Sequence, residues 1–320
     1  MQVTSVDWSY FFSKNNTDRF NNAFNIWLTG ISEIPVFEEV MIINQTNCSV
    51  VVGITQLDSK YWLLCIQPER SLSAYSKAFV SLDSNIDLSE MGNPQDIAAS
   101  SLLKCLYIAD SLGVWMVNAT VSPLKATLFM TGIVASTLSV TPNVGVLAID
   151  LCGRKVLYHH NGTTRRLDEL NLLAQNGSIR HAVMKTDGNL IISEWRLHSI
   201  GITYRILKVS GLDVSNLQLQ NSYDIYTSNQ PTETTWIPHL AVNAEGHVIV
   251  ADKYSHQVLL LDNQTGNKSV IHEYTNGDYP VRVCFDIATE TLIVGMNSGI
   301  VRISIVKFKR VQTPNSDLNI

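Results

Sequence analysis

No apolar run in this 320-residue chain approaches the 18 residues that a membrane-spanning helix requires, so no span is expected. Charge is sparse: Asp, Glu, Lys and Arg supply 16% of the residues, against about a quarter in an ordinary globular domain, and the formal net charge is −5. That balance disfavours nucleic acid, whose phosphate backbone is bound by clustered Lys and Arg. The one basic knot, Lys307-Phe308-Lys309-Arg310, reads as a solvated strand end. No basic segment leads into an apolar one at the N-terminus, so no signal peptide is visible. The five cysteines, at 48, 65, 105, 152 and 284, stand singly, without a Cys-x-x-Cys pair for a metal or a redox couple. Free thiols of this kind point to a reducing compartment and a cytoplasmic location. Also missing are a Gly-x-Ser-x-Gly elbow, a His-Glu-x-x-His helix and a Gly-rich phosphate loop. Their absence removes the commonest routes to hydrolase, metalloprotease and nucleotide chemistry.

Asn-x-Ser/Thr sequons are in excess. They occur at Asn15, Asn44, Asn47, Asn118, Asn161, Asn176, Asn263 and Asn267. With 25 Asn and 53 Ser plus Thr, chance supplies about four. Turn-rich β proteins concentrate these residues in loops, so the excess leaves a secreted protein as the alternative location.

What fills the chain is a repeat. The segment WIPHLAVNAEGHVIVADKYSHQVLLLD, 236–262, holds three short apolar runs separated by Gly- and Asp-bearing turns, the pattern of consecutive antiparallel strands. Its second run closes on an acid, Val250-Ala251-Asp252. Related runs end at Cys65, Asp110, Asp150, Glu194 and Gly295, at spacings of roughly 40 to 58 residues. Within each unit the third run is apolar and a fourth is more polar, as in Lys125–Thr131, Thr163–Leu170 and Lys268–Tyr274. Strands covered on both faces become apolar throughout, whereas an outer strand alternates. The units therefore predict an all-β, six-bladed β-propeller over 36–310. The longest spacing flags an insertion in the fourth unit near Gly211–Thr235. The sixth unit stops at its third run, and the N-terminal strand Val36–Ile43 is expected to complete that last blade, removing an exposed edge. Phe20, Ala23, Phe24 and Trp27 lie on one helical face within 16–27, so the extension 1–35 is read as containing a short N-terminal helix. A polar tail occupies 311–320.

The units 94–118 and 237–262 resemble NHL repeats. Pro94, Ile97, Ala98, Ile108, Ala109 and Asp110 match that family's pattern, as do Leu240–Val242, Gly246, Val250–Asp252 and Val258–Leu261. The resemblance implies a six-bladed propeller that serves as a binding scaffold for protein or RNA.

Alignment of the units places one position in register where each innermost strand begins. The family prefers Gly there; this chain has Asp96, Thr137, His181, His239 and Arg282. These are the candidate ligand-binding residues, ringing one mouth of the channel, with His181, His239 and Asp96 as candidate metal ligands. A water-filled funnel whose polar groups satisfy one another is the structural alternative. Pro238-His239-Leu240-Ala241 is similar to the zinc-binding segments of peptidyl-α-hydroxyglycine α-amidating lyases, and Arg180-His181-Ala182-Val183 is looser; a third such histidine is missing. Asp96 alone falls short of the acid and amide cage of calcium-dependent propeller lactonases. The recurring acids Asp110, Asp150, Glu194 and Asp252 read as caps on the strand-connecting loops. Trp195, Trp236 and Tyr254 are candidate binding anchors, and His159-His160 reads as a solvated turn.

The expectation is a monomeric, non-enzymatic scaffold without cofactor that presents one face to a protein partner. The alternative is a metal-dependent propeller enzyme using zinc or calcium at the channel mouth.

Overall fold

A computed structural model describes residues 33–36, 51–297 and 303–310, apart from 59, 66–70, 77–80, 83–85, 87, 155, 168–176, 199–200, 211–217, 229–237, 263–265 and 276. All of its regular structure is antiparallel strand, in four-stranded sheets. Five sheets are self-contained blades of consecutive strands: blade 1 over 51–82, blade 2 over 96–130, blade 3 over 135–166, blade 4 over 177–228 and blade 5 over 240–273. The last sheet is composite. It joins Pro280–Asp286, Thr291–Met296 and Ile303–Arg310 to Glu33–Val36 from near the other end of the chain. The six alike units expected from the repeat are thus five blades complete in themselves and one sheet stitched from two distant segments.

The stitch begins earlier than expected. The closing strand starts at Glu33, three residues before the expected Val36, and is paired from Glu33 opposite Arg310 to Val36 opposite Lys307. Residues 37–43 of the expected Val36–Ile43 lie outside the described residues. An outermost strand needs backbone donors more than apolar side chains, so Glu33 can pair there as well as the apolar residues that follow. The expected helix over 16–27 lies outside the described residues, and no helix occurs among those described.

Blade 2 shows why the sequence folds this way. Its innermost strands, Asp96–Ser100 and Cys105–Ala109, are almost wholly buried. Val114–Asn118 ends exposed, and Ala126–Met130 is exposed at its centre. The core lies between blades. Trp62, Leu64, Ile97, Leu106, Ile108 and Trp115 join blades 1 and 2; Val51, Ile54, Tyr61, Leu63 and Ile293 join the composite sheet back to blade 1. Each buried Leu or Ile contributes about 1.5–3 kcal/mol. Innermost strands touch in cyclic order, and the strand from Val51 packs beside that from Pro280, which closes the ring. The fold is a β-propeller.

Blade 4 departs from its neighbours. Its strands Leu190–His198, Gly201–Ser210 and Gln218–Ser228 run 9, 10 and 11 residues, against 5 for the last three strands of blade 2. Glu194 opposite Arg205 occupies the level at which blade 2 turns, yet pairing continues to His198 opposite Gly201. The additional residues of this unit therefore lie partly in lengthened strands, which stand above the face where innermost strands begin. Residues 211–217 and 229–237 are outside the described set.

Candidate functional site

The predicted ring positions come together at one end of the channel. Thr137, His181 and Arg282 each follow a register shift in the innermost strand, and Asp96 and His239 occupy the same level. The first unit, to which the sequence assigns no ring residue, has its position in the structure as well. In blade 1 the corresponding shift falls before Gly53, where a Cβ would stand 2.7 Å from the Ile97 backbone nitrogen, so only glycine allows blades 1 and 2 this approach.

The side chains of the ring are spent on the next blade. The Leu138 N–H donates to Asp96 Oδ2 at 2.9 Å, the Leu240 N–H to His181 Nδ1 at 3.1 Å and the Val283 N–H to His239 Nδ1 at 3.3 Å. The Thr137 hydroxyl donates to the Arg180 carbonyl at 2.9 Å. Arg282 donates from Nε to the Val52 carbonyl at 2.5 Å and from a terminal nitrogen to the Gln95 carbonyl at 3.1 Å. These bonds satisfy backbone groups left over where the innermost strands begin, groups that are costly to bury unpaired.

At the centre, His181 and His239 stack with ring centroids 4.1 Å apart and an interplanar angle of 26°. His239 Nε2 lies 3.7 Å from Asp96 Oδ2, and Arg282 Nε lies 3.6 Å from Asp96 Oδ1. Asp96 and Thr137 are 0% exposed, His181 1%, His239 5% and Arg282 8%. The five side chains, buried and bonded to neighbouring blades, form a plug at this level of the channel.

The electrostatics follow from burial. Desolvation raises the Asp96 carboxyl, but the hydrogen bond and charge of His239, with Arg282 and His181, outweigh it and hold the pKa below the ordinary carboxylate value. His181 is pushed well below its ordinary value by burial, with His239 and Arg282 adding and Asp96 opposing. His239 is lowered by burial, against the opposing pull of Asp96. Arg282 is lowered by burial and supported by Asp96. Near neutral pH the cluster is one anion and one cation beside two neutral imidazoles, and the imidazole charge acts on Asp96 only where acid has protonated the rings.

Ligand atoms of Asp96, His181 and His239 lie within 4.8 Å of one another, close enough to share a divalent ion. The protonation pattern works against it. A backbone N–H can only donate, so Nδ1 of each imidazole carries the lone pair and Nε2 the proton. For His181 that proton meets the Leu138 carbonyl, 3.2 Å away. Ligation through Nε2 would need the other tautomer, which sets N–H against N–H at Leu240 and at Val283. As arranged, these three residues do not fit a resident metal.

The recurring acids divide. Asp110 accepts from the N–H groups of Gly92, Leu112 and Gly113 at 2.6 to 2.9 Å, Asp150 from Arg154 and Asp252 from Tyr254 and Ser255, all as loop caps. Glu194 corrects the expectation. It is fully buried and pairs with Arg205 at 2.5 Å and Arg196 at 3.4 Å. Of the candidate anchors, Trp195 carries Arg180 above its ring at 5.3 Å and packs with Tyr204 and Tyr254 between blades 4 and 5; Trp236 lies outside the described residues. His159 bonds Thr164 and meets the edge of Phe129, so it is packed rather than simply solvated. Arg180 and Gly53 were missed by sequence reasoning. A glycine at the family's glycine position, in Val52-Gly53-Ile54, was the available signal for the latter.

No family model matches the chain, and no curated protein does. Solved structures do. A gluconolactonase from Xanthomonas campestris shares 12% identity at a TM-score of 0.61, covering 88% of this chain and 93% of its own. An auxiliary nutrient binding protein from Bacteroides thetaiotaomicron gives 11% and 0.59, covering 82% and 70%. Virginiamycin B lyase from Staphylococcus aureus gives 12% and 0.56, covering 83% and 99%. Enzymes and binding proteins thus stand side by side at identities that speak to fold alone. The chain is similar to these proteins as a β-propeller, and the narrower NHL assignment has no matching family model.

Proposed function

We propose that the chain is a non-enzymatic binding scaffold that presents the face where its innermost strands begin to a protein partner. The observation that carries this reading is the plugged ring: the polar side chains best placed for chemistry are buried and bond neighbouring blades. The same face supplies contact area. Leu112, Val134 and Leu151 are 52%, 46% and 54% exposed. They are neighbours, since the Leu151 N–H donates to the Val134 carbonyl, and the Asp110 loop that holds Leu112 also accepts from Ala135. Trp195, on raised blade 4, and Tyr254, packed against it, stand on that side, and aromatic anchors of this kind carry much of the energy of protein interfaces.

The test is differential capture with metal analysis. Proteins bound by the wild-type chain are compared with those bound by Leu112→Asp/Leu151→Asp and by Ile287→Asp, a control at an exposed position on the opposite face. A partner retained by the control and lost by the double variant supports the reading. Equal capture by all three chains overturns it. Stoichiometric zinc in the purified chain, lost in His181→Ala/His239→Ala, moves the assignment to a metal-dependent enzyme.

A further inference from the structure

Three of the eight sequon asparagines fall among the described residues, and they share a location. Asn118 ends the third strand of blade 2, Asn161 turns between the third and fourth strands of blade 3, and Asn267 immediately precedes the fourth strand of blade 5. All three are exposed. Pairing places them at the strand ends remote from the buried ring. Asn118 lies opposite Cys105, at the far end of blade 2 from the Asp96–Ala109 pair. His159, just before Asn161, is opposite Val146, and Lys268 is opposite Leu261, which pairs with Val248. The three turns therefore crown one face of the propeller, opposite the one bearing Leu112, Val134 and Leu151.

Turn chemistry accounts for part of this pattern. Asn161 and Gly162, at φ 49° and 72°, form the two-residue hairpin turn that favours Asn-Gly. The Asn118 amide oxygen accepts from the Thr120 N–H at 2.9 Å and from its hydroxyl at 2.7 Å. The turns do not require a hydroxyl two residues on in both cases, since Thr163 is an exposed residue of an outer strand.

We propose that Asn118, Asn161 and Asn267 are acceptors for N-linked oligosaccharide, forming a collar on the face opposite the buried ring. In the transfer, Asn Nδ2 attacks the anomeric carbon of a lipid-pyrophosphate-linked oligosaccharide. The C–N bond forms as the C–O bond to pyrophosphate breaks; the pyrophosphate leaves with the bonding pair, and an Nδ2 proton passes to a base of the transferase. The folded ring tolerates the product because each acceptor is exposed at a strand end or turn, where a bulky, hydrophilic sugar can extend into solvent. The chain then matures in a glycosylating secretory compartment, with the opposite face left bare.

The deciding experiment uses the native protein from its own cells. It is treated with N-glycosidase in heavy-oxygen water and the three peptides are mapped by mass spectrometry. Conversion to heavy-oxygen-labelled Asp at Asn118, Asn161 and Asn267 is expected, with one electrophoretic step lost in each of Asn118→Gln, Asn161→Gln and Asn267→Gln. An unmodified asparagine at any of the three positions in the native protein overturns the collar. The mapping reads the unaltered chain, so the outcome does not depend on whether a variant folds.

Discussion

Blades 2 and 4 place an acid at the same point of the repeat and use it in opposite ways. In blade 2 the chain turns at once, and Asp110 gathers three backbone N–H groups into a tight loop. In blade 4 the strands continue, no turn is there to cap, and the longer Glu194 meets Arg205 from the adjacent strand. One acid is held by peptide dipoles, the other by a guanidinium, and the difference follows from four residues of extra pairing. A repeat position thus fixes where a side chain sits; the length of the elements around it decides what that side chain does.

The comparison can be broken at its strongest point first. Glu194→Ala leaves Arg205 beside a buried site without its counter-charge, and a loss of about 3–5 kcal/mol is expected in urea unfolding. Replacing both residues, as Glu194→Met/Arg205→Met, is expected to recover most of that loss, because the one charge left without its partner, Arg196, is the more exposed of the two arginines. Asp110→Ala strips three N–H groups of their acceptor but leaves its loop near water, so about 1–3 kcal/mol is expected in the same assay. If the double replacement in blade 4 is as damaging as the single one, the ion-pair account fails.

Two glycines sharpen the contrast between a loop that touches blade 4 and one that touches nothing. Gly153, at φ 66°, has Ser178 Oγ and the Ile179 carbonyl within 2.2 Å of the position a Cβ would take, whereas Gly162, at φ 72°, has open space. Gly162→Ala should cost roughly 1–2 kcal/mol for the left-handed backbone alone, and Gly153→Ala more than that, read as a larger drop in thermal midpoint.

The smallest effect per step is the response to acid. His181 and His239 have pKa values lowered in the folded chain, so below about pH 6.5 the unfolded chain binds more protons and stability falls as pH falls. The slope reaches at most about 1.4 kcal/mol per pH unit for each histidine. Asp96 is also lowered, and its contribution, present above about pH 4, is lost only on further acidification. His181→Gln should flatten the first phase and leave the second. A denaturation midpoint independent of pH between 6.5 and 5 would contradict the protonation pattern of the plug.

Much of the fold was legible because packing between blades imposes it locally. Burial on both faces leaves an apolar run such as Val248–Asp252, and exposure of the outer strand leaves Thr163–Arg166, so the gradient could be read without knowing any contact. The ring was legible for the same reason, since register is shared by every unit. The closing strand was not, because Glu33–Val36 is recognised by the edge it pairs with and carries little pattern of its own. Nor was the role of Glu194, whose partner is eleven residues away across a strand. The consumption of His181 and His239 was invisible too: the groups that occupy them are backbone N–H donors at Leu240 and Val283, which no sequence displays.

The composite sheet carries a consequence for biosynthesis. Glu33–Val36 leaves the ribosome well before its partner Ile303–Arg310. Until that segment arrives the five finished blades form an open arc with two bare flanks, one lined by Val51, Ile54 and Leu63. The nascent protein must keep this apolar flank from foreign company throughout translation. A chain cut short before Ile303 is therefore a candidate for chaperone capture and degradation, even though most of its blades are intact.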